Sequence, residues 1–293
     1  MNVKLTPWLF LLPAIIIYGI FGAYPIFQTF SISLTNQIGV GSPGDFVGLD
    51  NYVALMSDRY FLNSLKNTAI WVACFLIIPN TLAITIALLL NHTFHGSGLV
   101  KSVFFMPLAL SFAIVGVIWG WIYEPDVGLL DQLLASLGLE RFIVQWLSAD
   151  AANYSVIAAA AWRQVAFATV IFLAGLSAIP QDLIDAARLD GCSELGILFR
   201  IILPLSKPVV VTVAILTFVA NWNEVLWPLI VIRDQDLMTM PQMVALFAVG
   251  GGSDSSIGAQ LASALLLALP VVIAYLIFQK HFIKSMASSG LKS

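Results

Sequence analysis

Six apolar stretches dominate this chain, and each is about as long as a helix that crosses a bilayer. A spanning α-helix needs about 20 mainly apolar residues. The stretches cover residues 8–33, 67–91, 102–123, 155–178, 209–232 and 259–279. Four of them carry no charge, whereas the fourth contains Arg163 and the fifth contains Glu224. The sequence therefore predicts an all-α polytopic membrane protein with six transmembrane helices.

The low charge content indicates that lipid, rather than water, covers most of the surface. Charged residues make up 10% of the 293 residues, whereas a soluble domain has about 25%. The first apolar run, Trp8 to Phe30, is longer than the core of a signal peptide and lacks a clean cleavage site. We expect it to remain as a membrane helix. No second soluble domain is indicated, and we predict a single transmembrane domain over residues 1–293.

Lysine and arginine are unevenly distributed between the two sides that six spans define. The side with both termini, 92–101 and 179–208 carries eight of these residues, against four on the other side. The eight are Lys4, Lys101, Arg188, Arg200, Lys207, Lys280, Lys284 and Lys292, and the four are Arg59, Lys66, Arg141 and Arg233. Because cytoplasmic loops are enriched in these residues, the sequence predicts that both termini are cytoplasmic.

One short polar segment, 181–203, lies on the predicted cytoplasmic side. Its apolar residues recur at helical spacing, and Gly191 separates two short helical stretches. A helix that lies on the inner leaflet usually carries an excess of Lys and Arg. This segment and the residues directly after it carry four acidic and three basic residues, namely Asp182, Asp185, Asp190, Glu194, Arg188, Arg200 and Lys207. The charge pattern therefore favours docking to a protein over anchoring to lipid.

Residues 185–208, DAARLDGCSELGILFRIILPLSKP, resemble the EAA loop of permease subunits in binding-protein-dependent ABC importers. That loop has an acid, two alanines and a glycine, followed by Ile-x-Leu-Pro. The corresponding residues here are Asp185, Ala186, Ala187, Gly191, Ile201, Leu203 and Pro204. Asp185 replaces the usual glutamate, and Cys192 stands where alanine is common. The stretches TPWLFLLPAIIIYGIFGAYPIFQTFSISLTN, FVGLDNYVAL and NWNEVLWPLIV resemble the carbohydrate branch of this family, the type I permeases related to the maltose transporter subunits.

The resemblance implies a coupling helix that sits in a groove of a cytoplasmic ATPase. The residues implied to couple are Asp185, Ala186, Ala187, Gly191, Leu203 and Pro204. The implied partners are a second permease subunit in a heterodimer, an ATPase subunit dimer, an extracytoplasmic sugar-binding protein and the lipid bilayer, with no nucleic acid. ATP and Mg would be used by the partner ATPase, and no cofactor is expected on this chain. The implied location is the cytoplasmic (inner) membrane of a bacterium or archaeon.

The chain shows no catalytic apparatus of its own in its sequence. It lacks the phosphate-binding pattern G-x-x-x-x-G-K-[ST], so it cannot be the ATPase by that mechanism. Neither a nucleophile–base arrangement nor a set of metal ligands stands out. We therefore expect a transport subunit rather than an enzyme, with ATP hydrolysis in a separate subunit and transport by alternating access.

Polar residues midway along the fourth and fifth stretches are candidates for the substrate path, because ionisable groups at membrane depth are costly and usually functional. With their aromatic neighbours, the candidates are Trp162, Arg163, Gln164, Phe167, Thr217, Asn221 and Glu224. Asn221 and Glu224 are three residues apart and would share a helix face. In a related permease the matching stretches contact the sugar. The alternative is a structural ion pair between Arg163 and Glu224. Trp71 is assigned instead to an interfacial belt.

Two other functions stay open from the sequence. A secondary transporter would need no ATPase-docking loop, and the sequence shows no inverted repeat of broken helices. A channel or membrane receptor for a small polar solute would leave the polar segment unexplained. The sequence does not identify the solute, since a disaccharide, a polyol and a glycerophosphodiester all fit this branch.

Overall fold

The computed structural model describes residues 6–38, 41, 44–91, 96–148, 151–232, 234–250 and 256–290. Within these residues the chain is almost entirely helical, and the β-pairing is one isolated bridge between Thr35 and Phe46. The predicted all-α fold is confirmed. The extreme termini, together with Arg233, contribute to the predicted orientation but lie outside the described residues.

The chain divides into two compact units, of which the first comprises Met1–Leu62 and Gln242–Ala274. Its first three helices are α1 (Thr6–Tyr18), α2 (Tyr24–Ser33) and α3 (Asp50–Ser57). A π-helical turn joins α1 to α2. Asn51 donates hydrogen bonds from Nδ2 to the carbonyls of Ser33 and Thr35, both at 2.8 Å. These bonds hold the beginning of α3 against the end of α2.

The second unit comprises Asn63–Pro241 and Tyr275–Ser293. Its helices are α4 (Arg59–Leu90), α5 (Ser97–Phe105), α6 (Phe112–Ile122), α7 (Leu129–Ser136), α8 (Ala152–Ser177), α9 (Gln181–Leu189), α10 (Glu194–Ile197), α11 (Leu203–Trp222) and α12 (Leu226–Val231). The last two helices, α13 (Met240–Gly250) and α14 (Ile257–Gly290), contribute residues to both units, and so does α4, whose residues 59–62 belong to the first unit. That the two units act as one transmembrane domain stays a prediction.

Among the described residues, five helical stretches are long and apolar enough to cross a membrane. They are Trp8–Ser33, Arg59–Leu90, Ala152–Ser177, Glu194–Trp222 and Ile257–Gln279. A sixth candidate consists of two pieces, Ser97–Ala109 and Ala113–Ile122, whose axes meet at 108°. The described part of the chain thus has five candidate spans, or six if the bent pair crosses the membrane as one.

The third apolar stretch is broken, whereas the sequence predicts one continuous helix over 102–123. A short 3₁₀ turn, Met106–Ala109, follows α5 and contains Pro107, which has no amide hydrogen to donate. Ser111 then begins α6 as its N-cap, and its Oγ accepts a hydrogen bond from the amide of Ile114 at 3.3 Å. The polar side chain thereby satisfies one of the backbone amides that the break leaves without a partner.

The fifth stretch is broken as well, although the sequence predicts a continuous helix over 209–232. α11 ends at Trp222 and α12 begins at Leu226. The cause is Pro228, which cannot donate to the carbonyl four residues earlier and whose ring clashes with it. Asn223 follows α11 directly and donates from Nδ2 to the carbonyl of Val219 at 2.8 Å. In a membrane, such non-helical backbone is tolerated where it is buried in protein or lines a cavity.

Pro79, by contrast, lies inside α4 without ending it. The carbonyl of Phe75 loses its normal amide donor at this point. The neighbouring side chain of Asn80 compensates, because its Nδ2 donates to Leu76 at 3.0 Å and lies 3.4 Å from the Phe75 carbonyl. α4 therefore stays helical from Arg59 to Leu90, and begins earlier than the predicted residue 67.

Helices α4, α8 and α11 pack together through small side chains. Their buried core consists of Ala83, Ala87, Ala168, Phe172, Leu176 and Val213. α8 approaches α11 closely at Gly175, where an added Cβ would lie 2.6 Å from Cγ2 of Val209. Small residues allow helix backbones to approach in this way in membrane proteins. This packing sets the spacing of the two helices that carry the candidate site.

Candidate functional site

A cavity of about 250 Å³ lies inside the second unit, beside both helix breaks. Leu108, from the first break, and Glu224, from the second, both contribute to its wall. Five residues predicted for the substrate path line it, namely Arg163, Gln164, Phe167, Asn221 and Glu224. The non-helical backbone is thus located where a membrane protein tolerates it, at the edge of an internal space.

The face of α8 that borders the cavity follows the helical repeat. Ala160, Arg163, Gln164 and Phe167 are spaced by three, four and seven residues and line the cavity together. Trp162 directly precedes Arg163 and so lies about 100° from it around the helix, because an α-helix has about 3.6 residues per turn. Its ring packs edge-on against Trp119, with centroids 6.1 Å apart. The structure therefore does not bring Trp162 to the cavity, in contrast to the expectation from the sequence.

Trp162 instead lines a separate apolar groove between α4, α5 and α8. Ile78 and Leu82 of α4 and Phe104 of α5 form the opposite wall of this groove. Apart from the indole N–H of Trp162, the side chains that line this groove are apolar. We therefore treat Trp162 as part of the apolar helix packing and not as part of the cavity.

Thr217 lies behind the cavity wall rather than in it. Its side chain is buried, with 1% of the residue exposed. Gln164 donates from Nε2 to Thr217 Oγ1 at 3.0 Å, and Asn221 donates from Nδ2 to the Thr217 carbonyl at 2.9 Å. One buried residue therefore anchors both amide side chains that face the cavity.

Glu224 has a structural role at the second helix break. Its Oε1 accepts a hydrogen bond from the backbone amide of Trp227 at 3.1 Å and so caps α12. The sequence placed Asn221 and Glu224 on one face of a continuous helix. The helix ends between them, yet both line the same cavity.

Aromatic side chains form the opposite side of the cavity. Trp71 and Phe75 of α4 are both buried, and their ring centroids are 5.8 Å apart. Trp227 is also buried and donates from Nε1 to the carbonyl of Val156 at 3.2 Å. The assignment of Trp71 to an interfacial belt is therefore corrected. Its spacing of four residues from Phe75 was the available signal, but nothing in the sequence indicates which face of α4 turns inward.

The segment 181–203 forms a helix–turn–helix at the other end of α8. α9 ends in a Schellman motif, in which Gly191 donates to the carbonyl of Arg188 and Cys192 to that of Ala187, both at 3.0 Å. Gly191 has a φ of 80°, which is the left-handed conformation that disfavours residues with a Cβ. Within the chain, an added Cβ at this position would meet no atom within 4 Å. The glycine is therefore required by the backbone turn and not by a close contact inside the chain.

Arg188 of α9 forms an ion pair with Glu194 of α10 and so links the two short helices. Its Nε and a terminal nitrogen donate to the two carboxylate oxygens of Glu194 at 2.8 and 3.2 Å. Another terminal nitrogen donates to Asp185 at 3.2 Å. The hydrogen bonds and charge of Glu194, followed by the charge of Asp185, raise the pKa of the Arg188 guanidinium. The bidentate pair spans the Gly191 turn and holds α9 in a fixed direction relative to α10.

The other predicted coupling residues have different environments. Asp185 and Ala186 are exposed on α9, whereas Ala187 is buried. Leu203 begins α11 directly after the π-helical turn Leu198–Ile202, and Pro204 follows in the first turn of the helix. A proline is well tolerated there, since the first amides of a helix have no helical partner.

Comparison with known proteins identifies relatives over most of the chain. Residues 80–288 match the model of the family described as "Binding-protein-dependent transport system inner membrane component". The probable ABC transporter permease protein YurN of Bacillus subtilis (strain 168) is 30% identical over 217 residues, which cover 73% of this chain and 74% of that protein. The sn-glycerol-3-phosphate transport system permease protein UgpA of Agrobacterium fabrum is 33% identical over 208 residues, covering 70% of this chain and 69% of that protein.

Solved structures share the fold over nearly the whole chain. One is a chain of a bacterial alginate ABC transporter in complex with an alginate pentasaccharide-bound periplasmic protein, with a TM-score of 0.77 and 19% identity. The match covers 93% of this chain and 92% of that chain. A second structure, of a bacterial ABC transporter involved in import of the acidic polysaccharide alginate, gives a TM-score of 0.74 at 19% identity. It covers 98% of this chain and 96% of that chain. At this identity the two structures support the fold alone.

Proposed function

We propose the function of this chain from one premise: it belongs to the family of binding-protein-dependent transport system inner membrane components. The chain is a permease subunit of an ABC importer and a multi-pass inner membrane protein. This membership favours the importer over the secondary transporter and the channel that the sequence left open, even though two helices are broken. The proposal concerns the solute, the partners and the way in which the subunit is driven.

The helix pair α9–α10 is the proposed docking site for a separate ATPase, which would use ATP and Mg. The observation that carries this proposal is the exposed surface around the Gly191 turn. Leu189 is 89% exposed and Leu195 is 67% exposed, although both lie among charged residues. Large apolar side chains exposed in a charged segment are typical of an interaction site. Asp185 and Ala186 lie on the exposed part of α9 and would contact the groove of the ATPase.

Movement of α9 would reach the cavity through α8. Only residues 178–180 separate the end of α8 from the beginning of α9. A rigid helix transmits a displacement of its end along its axis, and α8 carries Phe167, Gln164 and Arg163 about 15–21 Å from that end. Closure of the ATPase dimer would therefore shift the polar face of the cavity and change which side of the membrane it opens to.

The proposed solute is a sugar or polyol. The cavity combines buried and half-buried aromatic rings with two amides, an arginine and a carboxylate. Apolar ring faces and a few convergent polar groups suit a molecule with apolar faces and a hydroxylated rim. Arg163 would also suit an anionic group, such as the phosphate in the solute named for the relative from Agrobacterium fabrum.

A second permease subunit is proposed as a further partner, in a pseudo-twofold heterodimer. In the most apolar 18-residue window of Trp8–Ser33, no residue is buried by the chain itself. This span therefore has its whole circumference available to lipid and to another subunit. With α9 on the cytoplasmic side, as the distribution of Lys and Arg predicts, a solute-binding protein would approach from the opposite side.

Purification of the chain from its native membrane tests this proposal. We expect a stoichiometric ATPase subunit and a second permease subunit to copurify. In proteoliposomes, a sugar or polyol together with its binding protein should raise ATP hydrolysis, and this stimulation identifies the solute. A chain that purifies alone and moves solute without ATP would overturn the proposal. Stimulation by glycerol phosphate but by no neutral sugar would keep the importer and replace the solute.

A further inference from the structure

A continuous chain of hydrogen bonds links the cavity wall to the backbone that precedes α13. Asn67 donates from Nδ2 to the carbonyls of Asp236 and Met238, at 2.9 and 3.1 Å. Asn153 donates from Nδ2 to Asn67 Oδ1 at 3.3 Å. Trp71 donates from Nε1 to Asn153 Oδ1 at 3.1 Å. We call Asn67, Asn153 and Trp71 the relay, and its last member lines the cavity.

The relay is buried, and its side-chain amides and indole N–H are engaged in hydrogen bonds. Asn67, Asn153 and Trp71 are 7%, 9% and 1% exposed. Both hydrogens of the Asn67 amide reach carbonyls, and its oxygen accepts from Asn153. A buried network of this kind strongly favours one arrangement, because any displacement leaves a polar group unpaired in a low-dielectric interior. A displacement of one member of the relay should therefore move the others. An apolar contact could instead slide and would not transmit the displacement.

The segment 234–240 is fastened to α4 at two further points. Asn63 donates from Nδ2 to Asp236 Oδ1 at 2.8 Å, and the amide of Met240 donates to Thr68 Oγ1 at 2.7 Å. Asn63, Asn67 and Trp71 are each four residues apart, so they follow one face of α4. Asn63 and Asn67 bind the segment, and Trp71 lies one turn further along the helix, in the cavity wall.

The relay lies at the end of α8 that is remote from α9. Asn153 is the second residue of α8, and three residues separate the end of α8 from the beginning of α9. The helix has 26 residues, so the two ends are about 38 Å apart. Under the proposed orientation, segment 234–240 is therefore on the extracytoplasmic side, where a solute-binding protein arrives.

We propose that Asn67 and Asn153 are positioning residues that couple segment 234–240 to Trp71 in the cavity wall. Docking of a solute-loaded extracytoplasmic protein would displace the segment, and the relay would carry this displacement to the indole. The cavity wall would then adopt its solute-accepting position only while the loaded protein is docked. This inference rests on the proposed function, because it needs an importer that is stimulated by a binding protein.

The variant Asn153→Leu tests the relay, since it keeps the branched shape of the side chain and removes both of its hydrogen bonds. The assay is ATP hydrolysis by the assembled complex in proteoliposomes, measured against the concentration of solute-loaded binding protein. We expect the half-stimulating concentration to rise about three- to tenfold, the range given by one net hydrogen bond. Trp71→Phe removes the indole donor and also shrinks the ring that lines the cavity, so it should raise this concentration by a similar factor or more. The double variant should raise it by less than the product of the two single effects, because both changes interrupt the same relay.

Tyr123→Phe is the matched control. Tyr123 is 4% exposed and donates from its hydroxyl to the carbonyl of Ser155 at 2.8 Å, so the variant also loses a buried hydrogen bond near the beginning of α8. We expect its thermal stability in detergent to fall as much as that of Asn153→Leu, with an unchanged half-stimulating concentration. Equal shifts in both variants, or a shift in neither, would reduce the relay to a structural contact. If no binding protein stimulates the wild-type complex, the proposed function fails, and the coupling fails with it.

Discussion

Gln164 on α8 and Thr217 on α11 are joined by a 3.0 Å hydrogen bond from Nε2 to Oγ1. The carbonyl of the same threonine accepts from Asn221 at 2.9 Å. Thr217 is thus the buried support on which both cavity amides rest, although it does not itself line the cavity. A solute that binds Gln164 or Asn221 meets a side chain that is already oriented, which lowers the entropic cost of binding.

Removal of the Thr217 hydroxyl should release Gln164. Thr217→Val keeps the volume of the side chain but leaves the Gln164 amide without its acceptor on α11. We expect a loss of about 1–2 kcal/mol in stability, measured as a lower thermal unfolding temperature in detergent. The KM for transport should be higher as well. Thr212→Val is the control, because Thr212 is on the same helix but bonds only one turn back, to the carbonyl of Pro208. Wild-type stability and KM in Thr217→Val would contradict the support role.

The charge of Glu224 can be separated from its capping role. Glu224→Gln keeps the oxygen that accepts from the amide of Trp227 and removes only the negative charge. If the carboxylate binds solute, the variant should assemble normally and show a KM raised about tenfold, or a changed solute preference. Asn221→Ala should act in the same direction. Glu224→Ala, which also loses the cap, should in addition be less stable.

The rival reading is a structural ion pair in which Arg163 and Glu224 only neutralise one another. Both residues line the cavity, so the structure is compatible with either role. For a structural pair, Glu224→Gln should impair assembly because it leaves a charge uncompensated in the bundle. The double variant Arg163→Gln, Glu224→Gln should then restore assembly, with unchanged solute preference. Measurement of yield, detergent stability and competition between solutes in all variants decides between the two roles.

The turn at Gly191 gives a prediction for energy coupling. Because its φ is 80°, a β-branched residue there is strained by about 1–2 kcal/mol, whereas asparagine tolerates this conformation. Gly191→Val should turn α9 away from its direction and reduce solute-stimulated transport, while solute binding to the external protein stays normal. Gly191→Asn should keep most of the activity. If the asparagine variant is as impaired as the valine variant, a contact of the docked ATPase with the glycine, and not the turn itself, is the cause.

The positions of the apolar stretches could be predicted because a bilayer imposes length and composition on any spanning helix. The breaks in the helices could not be predicted, since a proline within an apolar stretch has opposite outcomes at two places in this chain. Pro79 is accommodated in α4 because the Asn80 amide reaches the carbonyls before it. Pro228 coincides with a break, where Glu224 caps the new helix. The outcome depends on which neighbouring side chain can satisfy the backbone, and that is a three-dimensional property.

The cavity residues of α8 and α11 were identified because charges and amides are conspicuous in apolar segments. The sequence predicts the wrong surroundings for Trp162 and Trp71, because it does not show which face of a helix turns to the cavity. α8 carries apolar residues on all sides, so its sequence does not show that the face with Arg163 and Gln164, and not that with Trp162, turns to the cavity. Trp71 lies near the beginning of an apolar stretch, which is also where interfacial tryptophans occur. The packing of α4 against α8 determines which tryptophan faces the cavity, and a single sequence does not reveal this packing.

The close approach of α8 and α11 at Gly175 gives the last prediction. A Cβ on Gly175 would lie 2.6 and 2.8 Å from the two γ-carbons of Val209, so Gly175→Ala must push the helices apart or displace the valine. We expect a loss of about 1–3 kcal/mol in stability, as for other overpacked sites. Because these helices hold Gln164 and Thr217 within hydrogen-bonding distance, the KM for transport should rise as well. Val209→Ala removes both γ-carbons, and in combination with Gly175→Ala it should restore stability and KM towards their original values. A double variant as unstable as Gly175→Ala alone would show that the glycine serves the backbone of α8, and not its packing against α11.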